Sequence, residues 1–302
     1  MEEIAPGVRM IDTLLAGWTG VTAAYLVTGD DPALVDTGAR TSAQAVRDAL
    51  AAAGIGRDDL RWIVLTHVHL DHCGATGILA HAYPRARVVV HVRGARHLAE
   101  PGRLVAGTAA VHGARWSLYG GLDPTPADRI DAADDGHVLE LGGGRRLRMV
   151  ATPGHARHHM AVLDEASGAV MAGDALGLRF RGAGPYPALP PPEIDPPAGL
   201  ASLDRVEALR PTALCPAHFG PVPEPGEAIA DARRQLALAA EAARAAPDPG
   251  ALAAGLERAI PMAASLGDPG AVALLERLGW APQTVDGLWA WSRRERRELL
   301  SA

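Results

Sequence analysis

Four side chains able to bind a metal ion fall within six consecutive residues, His67-Val68-His69-Leu70-Asp71-His72. They follow the apolar run Trp62-Ile63-Val64-Leu65, so Arg61 to Leu65 reads as a buried strand that delivers the cluster to a sheet edge. In extended chain, residues two apart point the same way, so His67 and His69 can grip one ion. Asp71 and His72, reached after the chain turns, can serve a second. Neutral imidazole and carboxylate suit zinc, and also iron or manganese. Exposed loop histidines are common, but that explains one or two of them and not four potential ligands in a single short loop.

Four residues cannot close two sites. Three later positions qualify, each at the end of an apolar run: His155 after Leu147 to Ala151, Asp174 after Ala169 to Ala172, and His218 after Ala213 to Cys215. The carboxyl edge of strands is where α/β proteins place their active sites. The flanking pattern agrees with such a fold. Strands are expected at Val8 to Asp12, Thr22 to Thr28, Ala33 to Asp36 and Val88 to His91, with helices at Ser42 to Ala53 and Ala75 to Ala82. Further strands are expected at His137 to Leu141, Arg145 to Ala151, His159 to Leu163, Ala169 to Ala172 and Thr212 to Cys215, with a helix at Leu200 to Leu209. Residues 101–135 show no clear period and read as a lid-like insertion. Gly184 to Pro197 reads as a surface excursion, because proline cannot donate to a strand ladder. Pro221 to Pro225 looks like a linker, and residues 222–302 form an Ala-rich helical extension that could be a small subdomain or a homodimer contact.

HVHLDH, then TPGH, GD and PAH, in this order and spacing, resembles the metallo-β-lactamase fold superfamily over roughly residues 4–220. That resemblance implies an αββα four-layer sandwich over residues 1–221, with the metals at one edge. It implies that His67, His69 and His155 hold a first ion and that Asp71, His72 and His218 hold a second. Asp174 would bridge the two, and Asp36 of LVDTG would support the metal loop from behind.

The chemistry expected of two divalent ions is hydrolysis by a shared hydroxide, with Asp174 setting their spacing and Asp71 orienting the nucleophile. The substrate would be an ester-like carbonyl: a lactone, ester or thioester. An iron-dependent thiol or persulfide dioxygenase and a small-molecule phosphodiesterase are the competing readings. A metal-bound sensing module without catalysis would fit an incomplete ligand set, whereas all seven candidates are present. Antibiotic-cleaving relatives generally lack the bridging aspartate, and the LF-x-x-GCGR segment of glyoxalase II and persulfide dioxygenases is replaced here by Ala175-Leu176-Gly177-Leu178-Arg179. Tyr186, and Trp116 and Tyr119 in the insertion, are candidates to meet substrate. His158 and His159 sit where relatives often have Gly-His. Strand alternation would let at most one face the site; support of a metal ligand from behind is one reading, and an ordinary strand histidine is the simpler one. His81, His91, His97, His112 and His137 have no motif around them and read as structural or exposed. Cys73 is expected to pack behind the metal loop.

The net charge of −6 argues against nucleic acid as a partner. The one dense basic run, Arg293 to Arg297, reads as a solvated face of the last helix. No apolar run approaches the roughly 18–20 residues a membrane span needs. The opening MEEIAPGVRM lacks the apolar stretch of a secretory signal, and two cysteines cannot frame a disulfide scaffold. A cytoplasmic setting is therefore expected.

Overall fold

The computed structural model describes residues 1–180, 184–222 and 224–301, with side chains described up to Glu298. A first sheet runs in chain order through β1 (Glu2–Ala5), β2 (Val8–Asp12), β3 (Ala23–Val27), β4 (Ala33–Val35), β5 (Trp62–Val64), β6 (Arg87–His91) and β7 (Ile130–Ala133). Pairing is antiparallel from β1 to β4 and parallel from β4 to β7. Parallel neighbours require crossovers. These are α1 (Ala43–Ala52) between β4 and β5, α2 (Leu70–Cys73) and α3 (Thr76–Ala82) before β6, then α4 (Val92–Ala99) and α5 (Gly102–His112) before β7. A second sheet holds β8 (Val138–Glu140), β9 (Arg146–Ala151), β10 (Met160–Asp164), β11 (Ala169–Gly173) and β12 (Ala213–Pro216), ordered β12-β11-β10-β9-β8. Only β11 and β12 pair in parallel, across α6 (Pro196–Ala208).

The period-two pattern assigns side chains to layers. In β3, Ala24 and Leu26 face the outer helices, while Ala23, Tyr25 and Val27 face the other sheet. Ile63, Val88 and Val90 likewise point outward, and Val64 and Val89 inward. The inner faces meet Leu147, Met149, Met160 and Met171 of the second sheet. The outer face of that sheet, with Ala161, Val170 and Leu214, is covered by Leu203 and Val206 of α6 and Ile229 of α7 (Pro225–Ala245). The result is the four-layer αββα sandwich.

The chain continues through α8 (Pro249–Ala259), α9 (Met262–Leu266), α10 (Pro269–Leu278) and α11 (Trp280–Ser301). Three of the later helices begin with the same local device, an aspartate followed by proline. Asp195, Asp248 and Asp268 accept hydrogen bonds from the backbone N–H of Ala198, Ala251 and Ala271. Each carboxylate satisfies a donor that the first turn leaves free, and the proline sits where its missing N–H costs nothing. Leu252, Leu256, Leu275 and Leu288 of these helices join the same apolar cluster as the helices over the first sheet.

Several local expectations need correction. Residues 101–135 are not aperiodic: they contain α5, short 3-10 turns and β7. Gly102 and Gly107 weaken the helical signal, and α5 has no fully buried residue, so no apolar stripe betrays it. The Pro-rich segment is not a surface excursion, since Tyr186, Leu189 and Ile194 are buried. The basic run is not simply solvated. Arg294 donates to the carbonyls of Pro192 and Ile194, Arg296 to those of Ala243 and Ala246, and Glu295 accepts from Arg244. β1 and α4 have no counterpart in the sequence reading. The expected linker includes Pro223, which lies outside the described residues. Among the described residues no helix is long and apolar enough to cross a membrane.

Candidate metal centre

Strand ends converge at one edge of the sandwich. Just past β4, Asp36 adopts a left-handed backbone with φ 59°, a conformation aspartate tolerates better than most residues. Its Oδ1 accepts the Thr66 N–H at 2.8 Å and its Oδ2 accepts the Thr66 hydroxyl at 2.8 Å. The same Oδ2 lies 3.3 Å from His72 Nδ1. Asp36 thus fixes both the start and the end of the loop that follows β5.

The other histidines are oriented by the same logic. His155 Nδ1 donates to the Ala188 carbonyl at 2.7 Å and His218 Nδ1 to the Val21 carbonyl at 3.1 Å. His67 Nδ1 bonds the Thr66 hydroxyl at 3.0 Å. With each Nδ1 engaged, the Nε2 lone pairs of His67, His72, His155 and His218 are left for the centre, the arrangement metal-binding histidines normally show. Asp174 lies among them. Its Oδ1 is 3.3 Å from both His72 Nε2 and His218 Nε2, and its Oδ2 is 3.2 Å from His155 Nε2. Asp71 Oδ2 lies 3.6 Å from His72 Nε2 and from His218 Nε2. His69 Nδ1 is 2.8 Å from His155 Nε2.

Among the described residues three triads could hold a metal ion: His67, His69 and His155; His67, His72 and Asp174; and Asp71, His72 and His218. All seven ligands expected from sequence are therefore brought together, with Asp36 behind them. The buried atoms His67 Nε2, His72 Nε2 and Asp174 Oδ1 have no hydrogen-bond partner. An unsatisfied buried polar atom costs about 1–3 kcal/mol, so three aimed at a common point fit a cation there. Electrostatics agrees. Burial opposes charge on His72, yet Asp174, Asp71 and Asp36 together push its pKa up to about 10. Burial would raise the Asp174 carboxyl, but His218, His72 and His155 outweigh it and hold it well below the usual range. The carboxylates thus demand positive charge, while burial and mutual crowding keep His67 and His69 neutral and able to coordinate.

Two residues given an ordinary role by sequence have specific ones. His159 Nε2 accepts the Asp174 N–H at 3.0 Å and its Nδ1 donates to the Thr152 hydroxyl at 2.8 Å. His158 Nδ1 accepts the Val68 N–H at 3.4 Å, leaving its proton on Nε2, and the residue lines the cavity over the ligands. That cavity measures about 400 Å³, the size range of small-molecule sites. Apolar walls come from Leu104 and Val111 of α5, Leu178 and Leu189, and its polar groups include Asp71, His112, Tyr119 and Gln283. His112, read as structural or exposed, is therefore a cavity residue, as is His97. Of the three residues expected to meet substrate, Tyr119 lines this cavity. Tyr186 lines a smaller pocket of about 40 Å³ beside His155 and Asp174, and Trp116 lines neither. Cys73 is fully buried behind the loop, and burial, with Asp71 and Asp36, raises its thiol well above the ordinary value.

The family model of the metallo-beta-lactamase superfamily matches residues 16–218. Over 169 residues the chain is 36% identical to a metallo-beta-lactamase fold-containing protein of Sulfurisphaera tokodaii, covering 54% of this chain and 62% of that protein. It is 35% identical over 155 residues to a hydroxyacylglutathione hydrolase of Acidiphilium cryptum, covering 51% of this chain and 48% of that one. The alignments thus span less than two thirds of these relatives' own lengths. The solved structure of an archaeal superfamily protein from Sulfolobus tokodaii is similar at a TM-score of 0.72 and 26% identity, covering 93% of this chain and 98% of that chain.

Proposed function

The chain belongs to the metallo-beta-lactamase superfamily, and from that premise we propose that it is a dinuclear metallohydrolase of ester-like carbonyls: lactones, esters or thioesters. The observation that carries this reading is the position of Asp174, with one carboxylate oxygen on His155 and the other on both His72 and His218. A carboxylate so placed suits a bridge between two ions. His67, His69 and His155 would hold one ion, and Asp71, His72 and His218 the other, with zinc the best match to this set of imidazoles and carboxylates. Bound divalent ions would supply a water acidic enough to be hydroxide near neutral pH and a polarising contact for the substrate oxygen.

The chain's own groups do the rest. Asp71 is the ligand with the greatest exposure among the carboxylates, its side chain 14% accessible against 4% for Asp174. It lines the cavity and can accept a hydrogen bond from the attacking water, orienting it. His159 and Asp36 hold Asp174 and His72 so that neither carboxylate nor imidazole must reorganise. Leu104, Val111 and Leu189 exclude solvent and give an acyl portion an apolar wall. The similarity to a hydroxyacylglutathione hydrolase supports the thioester end of this range, although the segment after Asp174 differs from the family pattern.

The test is metal analysis of the purified protein together with a panel of lactones, acyl thioesters, phosphodiesters and persulfides. Two ions per chain and hydrolysis of a carbonyl substrate that chelation abolishes are expected. One iron per chain with oxygen uptake on a persulfide would overturn the reading.

A further inference from the structure

The roof of the cavity is assembled from two distant segments. Residues 112–119, at and after the end of α5, meet the first turn of α11. Trp280 Nε1 donates to the Tyr119 hydroxyl at 2.8 Å. Three residues on, Gln283 Nε2 donates to His112 Nδ1 at 2.9 Å. Arg115 adds a third tie, donating to the Arg277 carbonyl at 2.9 Å. The His112 and Tyr119 rings lie 4.2 Å apart, and the Trp280 ring packs edge-on to the imidazole of His218 at 4.8 Å. The roof therefore adjoins His218 and shares the cavity with Asp71.

The direction of these bonds fixes what the roof offers below. An amide NH₂ can only donate, so His112 Nδ1 is an acceptor and its ring proton sits on Nε2. An indole N–H can only donate, so the Tyr119 oxygen is the acceptor and its own hydrogen stays free. Among the described residues neither the Tyr119 hydroxyl nor the His112 ring makes a further hydrogen bond, and both residues line the cavity. Two adjacent side chains therefore each offer a donor to the chamber they line, beside the apolar Leu104, Val111 and Leu189. Tyr119 is 1% exposed and Trp280 8%, so packing holds the hydroxyl in place, while the half-buried His112 is held by the Gln283 amide.

We propose that Tyr119 and His112 form a donor pair that receives the oxygen developing negative charge on an acyl substrate, and that α11, through Trp280 and Gln283, is the element that aims them. Preorganised donors at such an oxygen are a recurrent source of rate enhancement. The substrate's acyl chain runs from this point along Leu104, Val111 and Leu189. This assignment rests on the hydrolase reading above and adds to it the groups that bind the carbonyl. Tyr119 and His112 are catalytic residues in this scheme, while Gln283 and Trp280 are positioning residues.

The experiment uses the metal-loaded protein and n-octylphosphonate, a tetrahedral anion with an alkyl chain, followed by calorimetry, alongside turnover of octanoyl thioester and lactone substrates. Metal content is measured in every variant. With both ions retained, Tyr119→Phe and His112→Leu should each weaken phosphonate binding roughly 10-fold, as expected for one lost hydrogen bond. Each should lower kcat more than it raises KM. His112→Gln restores an N–H and should recover most of the loss. Gln283→Leu should weaken binding less than His112→Leu. Because Tyr119→Phe strands the Trp280 N–H, the double variant Tyr119→Phe with Trp280→Phe guards against a folding artefact and should behave like Tyr119→Phe alone. Wild-type affinity in both single variants overturns the donor pair, as does a wild-type protein that does not bind the phosphonate. Phosphonate binding that is lost in the variants, in a protein that hydrolyses nothing on the panel, upholds the donor pair and overturns the hydrolase reading instead.

Discussion

His159 Nε2 accepts a hydrogen bond from the backbone N–H of Asp174 at 3.0 Å, while its Nδ1 is tied to the hydroxyl of Thr152. This links the start of β10 to the residue that lies between His155 and the pair His72 and His218 in the candidate metal centre. The bond leaves no room for doubt about the tautomer: an N–H donor on Asp174 requires a lone pair on Nε2, so the proton is on Nδ1. His159→Ala should therefore free the Asp174 backbone without touching a ligand. Loss of such a supporting contact typically costs 10–100-fold in metal affinity. Titration of metal-free protein with zinc against a competing chelator measures it, and wild-type affinity in a folded variant would refute the role.

Asp174 and Cys73 make a contrasting pair. Asp174→Ala removes the carboxylate placed between His155 on one side and His72 and His218 on the other, leaving His155 with none and the other two with Asp71. Metal content and hydrolysis should fall together. Cys73 is fully buried behind the loop and its thiol is raised by burial, so no thiolate is available to coordinate. Cys73→Ala should leave metal content and activity largely intact and cost of order 1 kcal/mol in stability. Elemental analysis and thermal unfolding of the two variants settle the order, and its reversal would mean the loop has another chemistry.

Stability of the metal-free protein should depend on pH with a definite sign. Burial lowers His67, His69 and His155, and takes His158 and His159 down to about 3, from an ordinary value of 6.5. The unfolded chain takes up protons on these five as pH falls through about 6.5, while the folded chain does not, so stability is lost on acidification. His72 runs the other way: with a folded pKa of about 10, its contribution is complete below 6.5 and is lost as pH rises through 10. Five groups outweigh one. The melting temperature of chelated protein should be lower at about pH 5.5 than at about pH 7.5, as differential scanning fluorimetry would show. Equal or higher values at the acid pH would contradict it.

The ligands were legible because they cluster: His67 to His72 lie in one loop, and His155, Asp174 and His218 each close an apolar run. The alternation of apolar residues made an α/β domain legible, whereas the four-layer order came from the resemblance that HVHLDH, TPGH, GD and PAH carry. Other parts of the site depend on contacts between segments that no local pattern records. His112 and Gln283 are 171 residues apart and carry no motif, yet they share a hydrogen bond over the ligands. Strand alternation allowed at most one of His158 and His159 a place at the site. Both precede Met160, where β10 begins, so one faces the cavity and the other holds Asp174 from behind. The Pro-rich segment was read from its missing donors, whereas its carbonyls do the work: Ala188 orients His155, and Pro192 and Ile194 accept from Arg294.

Gly154 shows how closely that site depends on backbone packing. It has φ 140°, and a Cβ there would lie 2.3 Å from Gly199 Cα and 2.5 Å from Gly199 N. Both obstacles are backbone, so no side chain can swing away to make room. Gly154→Ala should push the loop carrying His155 off α6, removing His155 from its contact with Asp174 as well as straining the chain. A loss of about 1–3 kcal/mol is expected from strain of this kind, with weaker metal binding in the same variant. Gly199→Ala provides the internal control. Its Cβ meets the flexible end of Leu236 at 2.8 Å, which can move, so the penalty should be smaller and metal affinity close to wild type. Denaturant unfolding and zinc titration of the two variants test the argument, and equal effects at the two positions would show that the contact between these backbones does not set the position of His155.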